Sequence, residues 1–443
     1  MKQRNLKLAC IALSAFSMMP NIAVAESMFG CAGLETDTEL PSLEGKDGVF
    51  FRIKTDLRMN HPFSDQNVEF ISELSQALAE NGTTLIFVPI PTKSVTMPDY
   101  LPEEAALYGF DLGIATAVHD DILDRLNAAG VITVDAREAM MEAEELPFFK
   151  ADFHWSHIGA RHTAEAIAEK IKSLPEYADL DHTPFETVEE GIEISFSGMR
   201  RDLQEHCVKT LPEAEIMTYS TTQTEEIDLG DGGLDLFGED DLTIPIALLG
   251  TSFSDSPVNN FPGFIAQYTE LEVVNYALTG GNQYGAMTSY LTSTEFQETR
   301  PRFLVWENPI YTNLAQYGDQ PMRELIAAAG QTCTVPLEAQ VNEANNVVTV
   351  DLTDYELGPE DTIFIDIHQL AGTSANFLFQ SHDGLTRSKF IERGERQSRT
   401  GRFYMPLSGL WADGAASVDI STSGPFTSQP SVFACTTQTK EEI

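Results

Sequence analysis

Asp152 and His154 stand two residues apart in LPFFKADFHWSHIGA (146–160), with aromatic side chains on both sides. A carboxylate beside an imidazole in apolar surroundings is the pairing of a general base with the group that orients it. Ser252, far downstream in ALLGTSFSD (247–255), supplies a hydroxyl for that pair to act on. It follows an apolar run and precedes a helical stretch. A Ser on such a strand-to-helix turn presents its oxygen above the sheet, where a helix N-terminus favours developing negative charge. A Ser hydroxyl is a weak nucleophile until a base takes its proton. Asp152, His154 and Ser252 are therefore read as orienting acid, base and nucleophile of an acyl-transfer or acyl-hydrolysis site.

Residues so far apart in sequence meet only if regular elements carry them to one edge of a fold. EGKDGVFFRI (44–53) reads as a hairpin turning at Asp47-Gly48. Ser64 caps a predicted helix over 65–80 that stops at Asn81-Gly82, and a buried strand follows over 84–92. The pattern predicts a helix over 103–129, a strand over 131–135 and an amphipathic helix over 157–174. Residues 176–241 carry no assignable pattern. Strands then recur at 244–250, 272–277 and 302–307, with helices after Pro257, over 284–292 and over 322–329. This alternation predicts the α/β class: a mostly parallel sheet with helices on both faces, filling a first domain over 26–332. In such sheets sites lie at the carboxyl ends of strands, where GTSFSD, ALTGGN and WENP all fall. From Thr334 the runs become short, β-rich and separated by Gly, Asp and Asn turns, which predicts an all-β sandwich over 333–443.

Lys2, Arg4 and Lys7 precede an apolar run from Leu8 to Met19, and Ala23-Val24-Ala25 ends it. That pattern is a secretory signal peptide over 1–25, which directs the chain to an oxidising, periplasmic setting. The exported chain keeps Cys31, Cys207, Cys333 and Cys435, for which three pairings exist in principle. Cys333 and Cys435 bracket the β-rich region and are paired on that ground, leaving Cys31 with Cys207. Closing a loop of that size restricts the unfolded chain by about 4–5 kcal/mol in the entropy model. The formal net charge of -41 excludes nucleic acid as a partner and disfavours anionic membrane surfaces.

No metal and no cofactor are expected. His154, His157 and His162 do not fall on one helical face, so they form no zinc set with Asp152. DLGDGGLDLFGEDD (228–241) is acidic and Gly-rich but lacks the bidentate Glu spacing of a calcium loop.

DFHW followed by GTSFS resembles the alginate O-acetyltransferase family, the AlgX and AlgJ proteins with an SGNH-hydrolase-like domain. That family reads D-H-H-W and then G-T-S-[YF]-S about a hundred residues on, and GKDGVFFR, VPIPTK, VVNYA and WENP follow its order here. The resemblance implies an SGNH-hydrolase-like domain, then a carbohydrate-binding-like module. It also implies an exported enzyme that moves an acetyl group through a Ser252 acyl-enzyme onto hydroxyls of an exopolysaccharide, alginate or alginate-like. Phe153 replaces the family's middle His, and Thr251 stands where GDS hydrolases carry Asp. Gly280, Gly281 and Asn282 lie where SGNH enzymes place oxyanion donors beside the Ser252 N–H, and Tyr311 resembles a family tyrosine at the site. A membrane-bound O-acyltransferase is the acetyl donor that the resemblance implies, with the chain a monomer or part of a biosynthetic complex.

RSKFIERGERQSRTGR (387–402) is a cationic cluster in an otherwise acidic chain. Lys389, Arg393 and Arg396 are candidates to hold polymer carboxylates, with Phe390 or Trp411 stacking on sugar rings. The acidity of the whole chain leaves both an anionic and a neutral exopolysaccharide open as acceptor. Two other functions fit the same residues: an SGNH-type carbohydrate esterase, in which water replaces the acceptor, and a polysaccharide-binding scaffold with a weak site.

Overall fold

The computed structural model describes residues 27–224, 244–330, 332–344, 346–370 and 372–436. The expected signal segment and the acidic stretch 228–241 lie outside the described residues.

The chain opens with a short antiparallel pair, β1 (Ser42–Glu44) and β2 (Phe50–Arg52), in which Leu43 faces Phe51. Their connection is a helical turn over Lys46–Gly48 rather than a two-residue turn, with Asp47 itself at positive φ. The helix Asp65–Ala79 begins at Ser64, whose side chain accepts from the Asn67 N–H, and buries Val68, Ile71, Leu74 and Leu78 on one stripe. The central sheet then forms from β3 (Thr84–Ile90) and β4 (Ile132–Thr133). The predicted helix over 103–129 divides into a turn over Glu103–Tyr108 and a helix over Leu112–Ala128. Gly109, at positive φ, ends the first, and the Asp111 side chain caps the second by accepting from Ile114 N–H. The helix His157–Lys172 buries Ala164, Ile167, Ala168 and Ile171, as its periodicity predicts.

The stretch that sequence left unassigned is a long antiparallel ribbon of β5 (Phe185–Ser195) and β6 (Ala214–Gln223), with the helix Gly198–Gln204 between them. Its strands are amphipathic only in part: β5 is mostly exposed, so the usual alternation of a core-facing strand is missing. The main sheet is completed by β7 (Ile246–Leu249), β8 (Val273–Asn275) and β9 (Phe303–Pro309). All its neighbours are parallel, in the order β4-β3-β9-β7-β8. β7 and β9 are buried throughout, which is why both read as unbroken apolar runs.

The remaining strands are β10 (Val335–Pro336), β11 (Ala339–Val341), β12 (Val347–Asp351), β13 (Thr362–Asp366), β14 (Ser374–Gln380), β15 (Thr386–Glu392), β16 (Arg402–Pro406), β17 (Ser417–Thr422) and β18 (Ser431–Cys435). They make two antiparallel sheets, β10-β18-β13-β16 and β11-β12-β17-β14-β15, enclosing a core of Val348, Ile363, Ile365, Phe377, Phe379, Phe403 and Val418. Disulfides join Cys31 to Cys207 and Cys333 to Cys435.

The sandwich is keyed to the α/β body through the helix Gln320–Ala329. Arg393, buried at 7% exposure, forms a two-pronged ion pair with buried Glu324 at 2.8 and 2.6 Å. Glu324 also accepts from the Tyr404 N–H, and Arg393 donates to the Arg402 carbonyl. Removing one member strands a charge in the interior, so Arg393→Ala is expected to cost about 3–5 kcal/mol in urea unfolding. Replacing both residues with apolar ones of similar size is expected to cost far less.

Candidate active site

Residues 147–156 fold back on themselves, with Phe148 bridged to Trp155 and the Phe149 N–H donating to the His154 carbonyl at 3.2 Å. The aromatic residues that bracket the pair in sequence form the pocket around it. Trp155 is buried and donates its indole N–H to the Phe253 carbonyl at 2.8 Å, which ties the His-bearing loop to the Ser-bearing turn. The Phe153 ring lies 4.0 Å from the imidazole of His154, and Phe253 lies 5.0 Å from it.

Within this frame, Asp152 Oδ1 accepts from the His154 backbone N–H at 2.7 Å and meets His154 Nδ1 at 2.7 Å. The other ring nitrogen, Nε2, lies 2.8 Å from Ser252 Oγ. Facing an ionised carboxylate, Nδ1 carries the ring proton, so Nε2 is the lone-pair nitrogen turned to the hydroxyl. Burial pushes the Asp152 carboxyl up. The His154 ring, the Ser197 hydroxyl and the His154 backbone N–H outweigh that and hold it below the ordinary carboxylate range. Its second oxygen accepts from Ser197 Oγ, a partner that sequence did not single out because Ser197 lies in the unassigned stretch.

Ser252 is the first residue of the helical turn Ser252–Asp255, capped by the Thr251 side chain, so its backbone N–H has no acceptor within the helix. Glu307 holds this turn from below. It is fully buried and accepts from the Thr251 N–H at 2.7 Å, the Thr251 hydroxyl at 3.1 Å and the Ser254 hydroxyl at 3.0 Å. Gly250 must be glycine here, because a Cβ would stand 2.4 Å from Glu307 Oε2. On the other side Lys93, also buried, donates to the carbonyls of Phe149, Lys150 and Asp152. These three acceptors match the three N–H bonds of an ammonium, while desolvation pulls the Lys93 pKa down to about 7. Lys93 and Glu307 belong to VPIPTK and WENP, segments legible in the sequence, although their roles were not.

Ser252, His154 and Asp152 open on a cavity of about 330 Å³ whose walls include Phe196, Ser197, Ile216, Asp255, Val258 and Thr279. Gly281 and Asn282 stand outside those walls. The Asn282 side chain accepts from the Tyr284 N–H, and Asn282 lines a separate cavity with Phe390 and Arg393. The loop turns after Thr279, so the predicted oxyanion role of Gly281 and Asn282 is not supported by their position. Tyr311 also stands outside the walls. It packs against Arg52, whose guanidinium lies 5.0 Å from the Tyr311 ring and 4.5 Å from that of Phe153.

Three of the cluster's six cations are spent on internal partners. Arg393 is held by Glu324, Arg402 by Asp366 at 2.9 Å, and Lys389 by the carbonyls of Pro406 and Ser408. Burial brings the Lys389 ammonium down to about 8. Arg387 lies 5.0 Å over the Trp411 ring and covers it. Lys389 and Arg393 are therefore corrected from polymer contacts to internal ones, because their side chains turn to backbone carbonyls and to Glu324, partners invisible in a linear reading, while Trp411 is partly buried beside Arg387. Arg396 and Phe390 remain exposed.

Three groups that could offer a metal ligand, His119, Asp120 and Asp135, cluster far from Ser252 in sequence, but Asp135 already caps a helix and Arg137 pairs with Asp120 at 3.5 Å.

Comparison with known proteins follows the same lines. Residues 43–310 match the family model described as "SGNH hydrolase-like domain, acetyltransferase AlgX". The alginate biosynthesis protein AlgX of Pseudomonas aeruginosa is 30% identical over 69% of this chain and 62% of its own length. The probable alginate O-acetylase AlgJ of Pseudomonas putida is 30% identical over 55% of this chain and 62% of its own. The chain thus spans about three fifths of the length of these curated relatives. Among solved structures, Pseudomonas aeruginosa AlgX superposes with a TM-score of 0.74 at 22% identity, covering 89% of this chain and 94% of that one. The O-acetyltransferase domain of Pseudomonas putida AlgJ gives 0.52 at 22%, covering 64% and 98%. These two share the fold.

Burial raises the Glu307 carboxyl from its ordinary value to about 7. Its folded pKa exceeds its unfolded one, so stability is fully present below about pH 4.5 and declines as pH rises through 7, by about 3 kcal/mol. Glu307→Gln is expected to flatten that decline in urea unfolding measured between pH 5 and pH 8; an unchanged slope assigns it to another group.

Proposed function

The chain belongs to the family of SGNH hydrolase-like domains described as acetyltransferase AlgX, and on that premise we propose that it is an exported polysaccharide O-acetyltransferase working through a Ser-His-Asp triad. The observation that carries this reading is the unbroken hydrogen-bonded chain from Asp152 through His154 to Ser252 on the first residue of a helical turn.

In the first half-reaction His154 Nε2 takes the Ser252 proton as Oγ adds to the acyl carbonyl of a donor. The tetrahedral oxyanion sits against the Ser252 N–H at the helix N-terminus. Collapse breaks the bond to the donor's leaving atom, which receives the proton from His154, and leaves acetyl-Ser252. In the second half a sugar hydroxyl gives its proton to Nε2 and attacks, and Ser252 recovers its proton as the ester leaves. Asp152 stays ionised throughout and stabilises the imidazolium. The acetyl donor in this reading is a membrane-bound O-acyltransferase, the setting is the periplasm after removal of the signal segment 1–25, and 333–443 acts as a carbohydrate-binding-like module.

The acceptor is an exopolysaccharide, alginate or alginate-like, as the names of the relatives suggest. Within the cationic cluster only the exposed side chains suit it. A Cβ on Gly280 would stand 3.9 Å from Arg396 Cγ, and Gly280 follows Thr279 of the Ser252 cavity, so Arg396 stands near the rim where a uronate carboxylate would pass. Phe390 offers a half-exposed ring for stacking.

Incubation with an acetyl ester and an oligosaccharide tests the reaction. Ser252→Ala, His154→Ala and Asp152→Ala are each expected to lower acetyl transfer roughly a thousandfold or more, with the double variants little worse than the singles. Release of free acetate at a rate indifferent to the acceptor would replace the transferase by the esterase. Arg396→Glu is expected to raise KM for an anionic oligosaccharide about three- to tenfold and for a neutral one little. An equal KM for both would remove Arg396 from the acceptor site.

A further inference from the structure

Asp152 is oriented from two sides, and only one of them belongs to the triad. We propose that Ser197 is a positioning residue: its hydroxyl, held by the N-terminus of the helix Gly198–Gln204, fixes the free oxygen of Asp152 so that the other faces His154. The inference rests on the triad reading above.

The direction of the hydrogen bonds carries it. Ser197 Oγ accepts from the Arg200 backbone N–H at 2.9 Å as the cap of that helix. Its single hydrogen is then left for Asp152 Oδ2. Asp152 Oδ1 takes both the backbone N–H and the ring N–H of His154. With each oxygen committed, the carboxylate cannot turn about its Cβ–Cγ bond without breaking a bond to a buried, charged acceptor.

The helix that carries Ser197 is itself anchored. Met199 and Leu203 pack with Phe50 and Ala151, the residue before Asp152. The Arg200 guanidinium donates to the carbonyls of Leu211 and Pro212 at 3.0 and 2.9 Å and pairs with Glu213. Cys207, just beyond the helix, is bonded to Cys31. A rigid cap of this kind differs from a passing contact with a surface hydroxyl. Ser197 is buried at 8% exposure and lines the same cavity as Ser252, while the chain around it was illegible as sequence.

The charged and titratable groups around Asp152 come from every packed element: His154 on its own loop, Lys93 against its carbonyl, Arg52 over Phe153, Glu307 beneath the Ser252 turn and Asp255 across the cavity. Removing the Ser197 hydroxyl leaves all of these in place. It takes away one donor that favours the ionised carboxylate, against burial that favours the neutral acid.

Hydrolysis of p-nitrophenyl acetate by the full-length protein, followed from pH 5 to pH 9, tests the proposal. Ser197→Ala is expected to lower kcat about tenfold with KM little changed, and to move the acid limb of kcat/KM to higher pH. Ser197→Thr, which keeps the hydroxyl and the cap, is expected to restore both. If the Ala variant does not fold, Ser197→Cys keeps the side chain's size with a weaker donor and is expected to give the same shift. Turnover within twofold of the parent and an unmoved acid limb would overturn the proposal, as would a Thr variant as impaired as the Ala one. Ser252→Ala is run alongside: full turnover in that variant would sink the triad reading instead.

Discussion

One hydrogen bond, from Ser252 Oγ to His154 Nε2, joins two loops that leave different layers of the fold, and the site exists only while both are held still. Each loop is held by a buried ionisable group packed behind it. Lys93 gathers three carbonyls of the His-bearing loop, and Glu307 gathers the donors of the Ser-bearing turn. Trp155 then fastens one loop to the other through the Phe253 carbonyl. Buried groups of this kind weigh against stability unless every partner is present, so they serve geometry rather than the depth of the fold.

The same logic recurs where the two layers of the molecule meet. Arg393 and Glu324 are withdrawn from solvent and paired two-pronged, which sets the sandwich against the helix Gln320–Ala329 in one register. A cationic run that looks like a polymer groove in sequence thereby spends Lys389, Arg393 and Arg402 on internal partners.

Some of this was legible before any coordinate. β3, β7 and β9 are buried on both faces, so they read as apolar runs, and the helices Asp65–Ala79 and His157–Lys172 show one apolar stripe each with a capping Ser before them. Asp152, His154 and Ser252 were legible as candidates because nucleophilic chemistry restricts which residue types can serve it. The β5–β6 ribbon was not, since its strands are largely exposed and carry no alternation to read, and with it went Ser197.

Gly281, Asn282 and Tyr311 mark the other boundary. Their sequence context resembles a site, yet none of the three is among the residues lining the Ser252 cavity. Local patterning is set by short-range sterics and by which face must leave water, and sequence records both, so the layers came from it, while residue type alone marked the three candidate catalytic residues. Which oxygen faces which nitrogen depends on a few tenths of an ångström across long-range packing. Only the assembled tertiary structure decided that Ser197 stands behind Asp152, Glu307 beneath Ser252 and Arg393 inside rather than out.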